Sequence, residues 1–285
     1  MSEHAPDPPP AIATREIPST GARLPVIGLG TWQAFDIGDA PEPLAARVEV
    51  LKRFFAGGGR LIDSSPMYGR AEAVVGALLP EVDGGESAFI ATKVWIEGRD
   101  EGVAQMRDST RKLGGRVDLM QVHNLVDWRA QLPTLRAWKR EGLLSYLGVT
   151  HYQRGAFETL ERLITRERLD FVQLPYSALT RDAERRLLPA ARDHGVAVLV
   201  MRPFEGGALF DRVRGRPLPS WASELGCASW AQLALKFILG HPTVTSPIPA
   251  TSSPAHLADN LEAGVGPLPD DALRERIAAA IRGDA

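Results

Sequence analysis

The sequence predicts an α/β fold, a (β/α)8 TIM barrel entered through an N-terminal β-hairpin. Three observations carry this reading. Short β-branched or apolar runs alternate with longer stretches of helical period at roughly 25 to 35 residue intervals. Eight such runs can be counted. No G-x-G-x-x-G follows the first of them, although an open doubly wound sheet would carry that fingerprint there.

Taken in order, Arg15 to Ile17 and Arg23 to Val26 flank Ser19-Thr20-Gly21, a hairpin signal placed to plug one barrel end. The eight barrel strands are expected at Val26 to Leu29, Arg60 to Ser64, Phe89 to Val94, Asp118 to His123, Ser145 to Thr150, Asp170 to Leu174, Ala197 to Met201 and Val244 to Ile248. Between them, Val48, Leu51 and Phe55 recur at i, i+3, i+7, as do Phe157, Leu160 and Ile164, and Trp230, Leu233 and Phe237, each an apolar stripe for packing on a sheet. Gly57-Gly58-Gly59, Gly142, Gly195 and Gly240 stand where helices should end, in positions suited to a left-handed cap. The final helix is expected over Asp271 to Ile281, and Arg212 to Leu218 reads as a loop after the seventh strand. Residues 1–14 form a flexible tail and 15–285 a single domain.

Composition narrows the function classes. Lys and Arg total 33 against 35 Asp and Glu, a formal net charge of -2 that gives no global attraction for nucleic acid or an anionic membrane. No run approaches the roughly 20 apolar residues of a membrane span. Met1 to Ala11 lacks the charged and apolar regions of a signal peptide, so a cytoplasmic protein is expected. Cys227, the only cysteine, reads as a small buried hydrophobe. The six histidines show no metal-ligand spacing, and no metal is expected. No heptad or self-complementary patch is evident, which leaves a monomer as the default.

In a barrel of this kind chemistry sits at the C-terminal strand ends. Asp63, Lys93 and His123 close the second, third and fourth strands, and Tyr68 follows Asp63 by five residues. A carboxylate, an ammonium and a phenol in contact are chemically meaningful, because a cation beside a tyrosine favours the phenolate and draws its pKa down from about 10. An isolated ion pair or strand-end histidine is usually structural. Four such residues on three successive strand ends point to function.

The contexts Leu61-Ile62-Asp63-Ser64-Ser65-Pro66-Met67-Tyr68-Gly69, Ala91-Thr92-Lys93-Val94 and Gln121-Val122-His123, with the opening Ile27-Gly28-Leu29-Gly30-Thr31-Trp32, resemble the aldo-keto reductases from Arg15 to about Asn260. The resemblance implies an NAD(P)H-dependent barrel in which Tyr68 is the acid, Lys93 lowers its pKa, Asp63 holds Lys93 and His123 orients the carbonyl. It implies reduction of aldehydes or ketones to alcohols, with a small-molecule carbonyl substrate. The other reading is a regulatory barrel that keeps the cofactor without useful turnover, against which the intact four residues argue.

The same resemblance assigns cofactor positions. Thr31 and Trp32 lie in the opening motif. Thr150-His151 stand where the family commonly has Ser-Asn for the nicotinamide carboxamide, and Gln173 matches the third carboxamide residue. Met201 replaces a stacking aromatic and is followed by Pro203, Phe204, Gly206 and Gly207, whose backbone would cradle a pyrophosphate. Thr251, Ser252, His256 and Asn260 would surround a 2′-phosphate at the helix opened by Ser253-Pro254, with Ala250 where many relatives carry Lys. NADP(H) is expected, with NAD(H) also accepted. Trp32, Phe35, Trp95 and Leu125 would form an apolar substrate rim.

Overall fold

A computed structural model describes residues 11–284. The hairpin pairs β1 (Thr14–Glu16) with β2 (Arg23–Pro25), Arg15 opposite Leu24. The eight parallel strands are β3 (Leu29–Gly30), β4 (Leu61–Asp63), β5 (Phe89–Val94), β6 (Leu119–His123), β7 (Tyr146–Thr150), β8 (Phe171–Pro175), β9 (Ala197–Met201) and β10 (Val244–Pro247), each paired with its sequence neighbours. Helices α1 (Pro41–Ala56), α2 (Ala71–Leu78), α3 (Arg99–Lys112), α4 (Trp128–Arg140), α5 (Phe157–Arg166), α6 (Leu187–Asp193), α7 (Ala208–Val213), α8 (Trp230–Leu239), α9 (Pro254–Glu262) and α10 (Asp271–Arg282) complete the layer outside them.

The barrel closes at a glycine seam. Gly28 N–H donates to Pro247 O at 2.9 Å, Gly30 N–H donates to Pro249 O at 3.1 Å, and Gly30 bridges Ala250 in parallel. A Cβ on Gly30 would lie 2.7 Å from Ile248 O, and one on Gly28 would lie 2.9 Å from Ile248 Cγ2. Both glycines serve close backbone approach. That approach explains why the first strand is only Leu29–Gly30 and not Val26 to Leu29. Val26 instead continues the hairpin, its N–H donating to Ala13 O at 2.9 Å.

Below the seam the hairpin stoppers the barrel. Ile17 and Leu24 are buried among Leu61, Ala91, Leu119, Tyr146, Phe171, Ala197, Leu199 and Ile248, the apolar floor inside the strands. Arg15 ties the stopper to the wall by donating to the carbonyls of Leu239, His241 and Val244. The tail expected over residues 1–14 falls outside the described residues as far as residue 10. From there on the chain is tied down, with Ala13 N–H on Gly264 O and Thr14 already in β1.

Two local expectations need correcting. The face that α1 buries completely is Val50, Leu51 and Phe54, not Val48, Leu51 and Phe55; Phe55 packs edge-on against Phe54 at 5.5 Å, nearer the surface. Gly240 has right-handed φ of −62° and is not a left-handed cap. Its small size is used instead for packing, since a Cβ there would meet Pro269 O and Arg274 Cδ at 2.7 Å.

The seam is testable. Gly30→Ala is expected to destabilise the protein by about 1–3 kcal/mol, the usual cost of overpacking. Gly155→Ala, where an added Cβ meets nothing within 4 Å, should leave the midpoint nearly unchanged. Urea unfolding of both variants checks this.

Candidate active site

Side chains alternate along a strand, so every second residue enters the barrel. Above the apolar floor, β4, β5, β6 and β8 contribute Asp63, Lys93, Gln121 and Gln173 in turn, a polar layer that is almost wholly buried. Register aligns it: Lys93 pairs with Gln121 and Thr150 with Gln173.

Lys93 is fully buried, and its ammonium donates to Asp63 Oδ2 at 2.6 Å and to Ser64 O at 2.7 Å. Asp63 Oδ1 accepts from Gln173 Nε2 at 2.8 Å and from Gln121 Nε2 at 3.1 Å. Every carboxylate oxygen therefore has a donor, which an ion pair removed from water requires. Burial disfavours the ammonium, but Asp63 and Tyr68 outweigh it and hold the Lys93 pKa above its ordinary value.

The loop after β4 carries Tyr68 over this pair, with Lys93 Nζ 5.0 Å from its ring centroid. Tyr68 N–H donates to Ser65 O at 3.0 Å, a tight turn before α2. Lys93 does draw the phenol toward ionisation, but burial is the larger effect and Asp63 adds to it. The net shift is upward, opposite to that expected from the cation alone. Free of ligand, Tyr68 is thus a protonated phenol at neutral pH.

His123 meets Tyr68 edge-on at 5.8 Å and lies 6.4 Å from the Trp95 ring. Burial, then the Lys93 charge and His151, push its pKa down to about 2, so the ring is neutral. Its Nδ1 is 2.9 Å from Ser65 Oγ. That hydroxyl also accepts from Met67 N–H at 3.4 Å. Asp63, Tyr68, Lys93 and His123 are therefore brought together at one mouth.

The other expected residues separate into groups. Thr31 is fully buried, and its N–H and hydroxyl both donate to Asp63 O, at 3.1 and 3.0 Å; it braces β3 against β4. Thr150 is buried beside Gln173, with its hydroxyl 3.5 Å from Oε1. His151 Nδ1 accepts from Gln153 N–H at 3.0 Å, which leaves Nε2–H as a donor, and burial holds this ring's pKa down. Met201 reaches the interior cluster. Pro203 is buried, Phe204 packs on Phe210 at 5.0 Å, and Gly206 and Gly207 take left-handed φ of 66° and 102° with open space beside Gly207. At the head of α9, Ser253 caps the helix by accepting from His256 N–H; Thr251 and Asn260 are buried, while Ser252 and His256 are exposed.

At the rim, Trp32 is 51% and Trp95 42% exposed, and Leu125 is half-buried in a left-handed turn with φ of 57°. Phe35 belongs elsewhere. It is 0% exposed within the main core, because Phe35 N–H donates to Thr31 O at 3.0 Å and the turn directs the ring inward, so it is removed from the substrate rim.

The sequence reading did not single out three supports. Ser65 holds His123. Gln121 holds Asp63; its signal was a polar residue at inward parity in the otherwise apolar Leu119–Val122 run. Glu72 is buried behind Lys93, accepting from Thr92 Oγ1 at 2.5 Å and Ser109 Oγ at 3.0 Å, and so ties α2 to β5 and α3.

The chain resembles known proteins in sequence and in fold. The aldo/keto reductase family model matches residues 26–280. The chain is 24% identical over 200 residues to the aldo-keto reductase YhdN of Bacillus subtilis, a match spanning 65% of this chain and 60% of that protein. It superposes with a TM-score of 0.77 on the thermostable aldo-keto reductase Tm1743, solved with the inhibitor epalrestat, at 25% identity over 96% of this chain and 100% of that one. An aldo/keto reductase from Klebsiella pneumoniae, solved with NADP and acetate, superposes at 0.75 with 23% identity, covering 92% and 93% of the two chains. With the family model matched over residues 26–280, nearly the whole described chain, and the barrel closed in sequence order, this protein belongs to the aldo/keto reductase family.

Proposed function

We propose that this family oxidoreductase reduces a small carbonyl compound to the alcohol with a dihydronicotinamide dinucleotide, and that Tyr68 is its general acid. The observation that carries the reading is the buried Lys93 ammonium, held by Asp63 and set under the Tyr68 ring at the open end of the barrel. The cofactor, when bound, supplies the hydride to the carbonyl carbon.

The chain's own residues handle the proton. Tyr68 O–H donates to the carbonyl oxygen as negative charge develops there. The phenolate left behind lies beside Lys93, whose charge was only partly effective while the phenol stayed protonated. Asp63 keeps that ammonium in place. With Ser65 Oγ–H donating to its Nδ1, neutral His123 offers Nε2–H as a second donor, orienting the oxygen without competing as an acid. Trp32, Trp95 and Leu125 supply an apolar wall for an uncharged substrate.

Several groups fit a nicotinamide dinucleotide. Gln173 Oε1 has only the long 3.5 Å contact with Thr150, and His151 has an uncommitted Nε2–H, so an acceptor and a donor are free for a carboxamide. The left-handed Gly206 and Gly207 leave backbone space for a pyrophosphate. Pro249 to Asn260 contains no Lys or Arg. We assign NADP(H) to Thr251, Ser252, His256 and the first turn of α9, and the lack of a cation there leaves NAD(H) bound only somewhat more weakly.

Tyr68→Phe is expected to lower kcat by at least about 100-fold, the usual scale of general acid catalysis. Cofactor affinity, read by tryptophan quenching, should stay unchanged; undiminished turnover on a carbonyl panel sinks the acid assignment. In the same titration NADPH should bind more tightly than NADH, and Ala250→Lys should widen the ratio. A variant that tightens both equally refutes the phosphate site.

His123 gives a pH prediction. Folded, its pKa is about 2, against about 6.5 unfolded, so below pH 6.5 only the unfolded chain takes the proton. Stability is therefore full above that pH and falls as pH drops. This group contributes up to about 1.4 kcal/mol per pH unit. His241, shifted to about 4, acts in the same sense. Between about pH 6 and 4.5, His123→Gln should flatten the slope by one histidine's share, as read by urea unfolding at each pH.

A further inference from the structure

Asp63 Oδ1 takes two amide donors, and that fixes more than the carboxylate. Paired with an ammonium, Asp63 can only accept, so both glutamines must turn their NH2 groups toward it. Gln121 then presents its own Oε1 to Gln173, whose Nε2 lies 3.4 Å away. The Gln173 NH2 group therefore has two acceptors, Asp63 and Gln121, on one side. Its Oε1 is forced to the other side, toward Thr150 Oγ1 and the mouth. Gln121 is fully buried and Gln173 is 1% exposed, so neither amide can exchange these partners for water.

We infer that Gln121 is a positioning residue that, together with Asp63, locks the orientation of Gln173, so that the cofactor site presents an acceptor, and not a donor, to the nicotinamide carboxamide. This rests on the proposed binding of a nicotinamide dinucleotide. The two remaining polar groups agree in sign. His151 Nε2–H is a donor suited to the carboxamide oxygen, and Gln173 Oε1 is an acceptor suited to its NH2. A carboxamide bound between them has one acceptable orientation about its bond to the ring, and that orientation decides which ring face meets the substrate. Because the same Nε2 binds Asp63, the carboxamide contact and the Lys93 counter-ion share one side chain.

The test uses the acetylpyridine analogue of NADP⁺, in which a methyl replaces the carboxamide NH2 and the carbonyl remains. The full-length protein should bind NADP⁺ at least about tenfold more tightly than the analogue, the scale of one lost hydrogen bond with an acceptor left unpaired. In Gln121→Met, close in size and apolar, Gln173 loses one of the acceptors that hold its NH2 group. The preference for NADP⁺ should then shrink to about threefold or less. Affinity for 2′,5′-ADP, which lacks the nicotinamide, should be unchanged, a separation that a merely structural role for Gln121 would not produce.

Equal binding of both dinucleotides by the parent overturns the acceptor assignment. A preference that survives in Gln121→Met overturns the role of Gln121. If Gln121→Met does not fold, Gln121→Asn withdraws the amide by one methylene and carries the same expectations. Failure of the parent to bind either dinucleotide or 2′,5′-ADP instead overturns the cofactor reading itself, and so is distinguishable from failure of this inference.

Discussion

The ion pair between Lys93 and Asp63 is the constraint around which the rest is arranged. Taking two charges out of water costs several kcal/mol per ion, and only close geometry with further hydrogen bonds offsets this. The barrel supplies both. Parallel strands in strict sequence put Asp63 and Lys93 on adjacent staves, Lys93 two residues beyond the register partner of Asp63, and place Gln121 and Gln173 to satisfy the remaining oxygen. Apolar side chains fill the layer beneath, so the polar layer has a dry floor. Removing either ion would strand the other, whereas the pair itself adds little net stability. Its presence in the core therefore argues for chemistry more than for folding.

Order in the mouth is achieved at the expense of backbone comfort. Gln33, Asn124, Leu125, Asp127, Arg202 and Glu205 all have positive φ without being glycine, and all lie in loops that follow barrel strands. Such conformations persist only where neighbours over-determine them. Asp127 Oδ2 accepts from Gly98 N–H at 2.9 Å, and Glu205 Oε1 accepts from Ser177 Oγ at 2.5 Å, each fastening one strained loop to the next. The opposite end of the barrel has only Arg168 in this class among the described residues. Strain thus marks the working end independently of any catalytic motif.

Much of this was legible in the sequence because it depends on short-range pattern. Strand runs such as Phe89–Val94 and Ala197–Met201 have a hydrophobic signature that tertiary packing did not alter. Asp63, Tyr68, Lys93 and His123 could be placed together because strand ends in a sequential barrel share a rim. Phe35 could not be placed, since an aromatic just beyond a strand end is suited equally to a rim or a core, and a single turn decides between them. The phenol of Tyr68 was misjudged for a related reason: the sequence names the cation but not the depth of burial, and burial prevails. The α1 stripe failed at both ends, Val48 for Val50 and Phe55 for Phe54, because two apolar phases, at 48/51/55 and 50/51/54, overlap in one helix. Gln121 showed only as a polar residue at inward parity, and its partner could not be read because the acceptor comes from a residue 58 positions away.

The stopper formed by Ile17 and Leu24 has a consequence for proton traffic. With the lower end plugged by apolar side chains, the polar layer faces the upper opening. If Tyr68 is the acid proposed above, it would be recharged along the route by which product departs. Product release and reprotonation would then share one doorway, making the barrel a one-ended vessel to be emptied before its acid is reset.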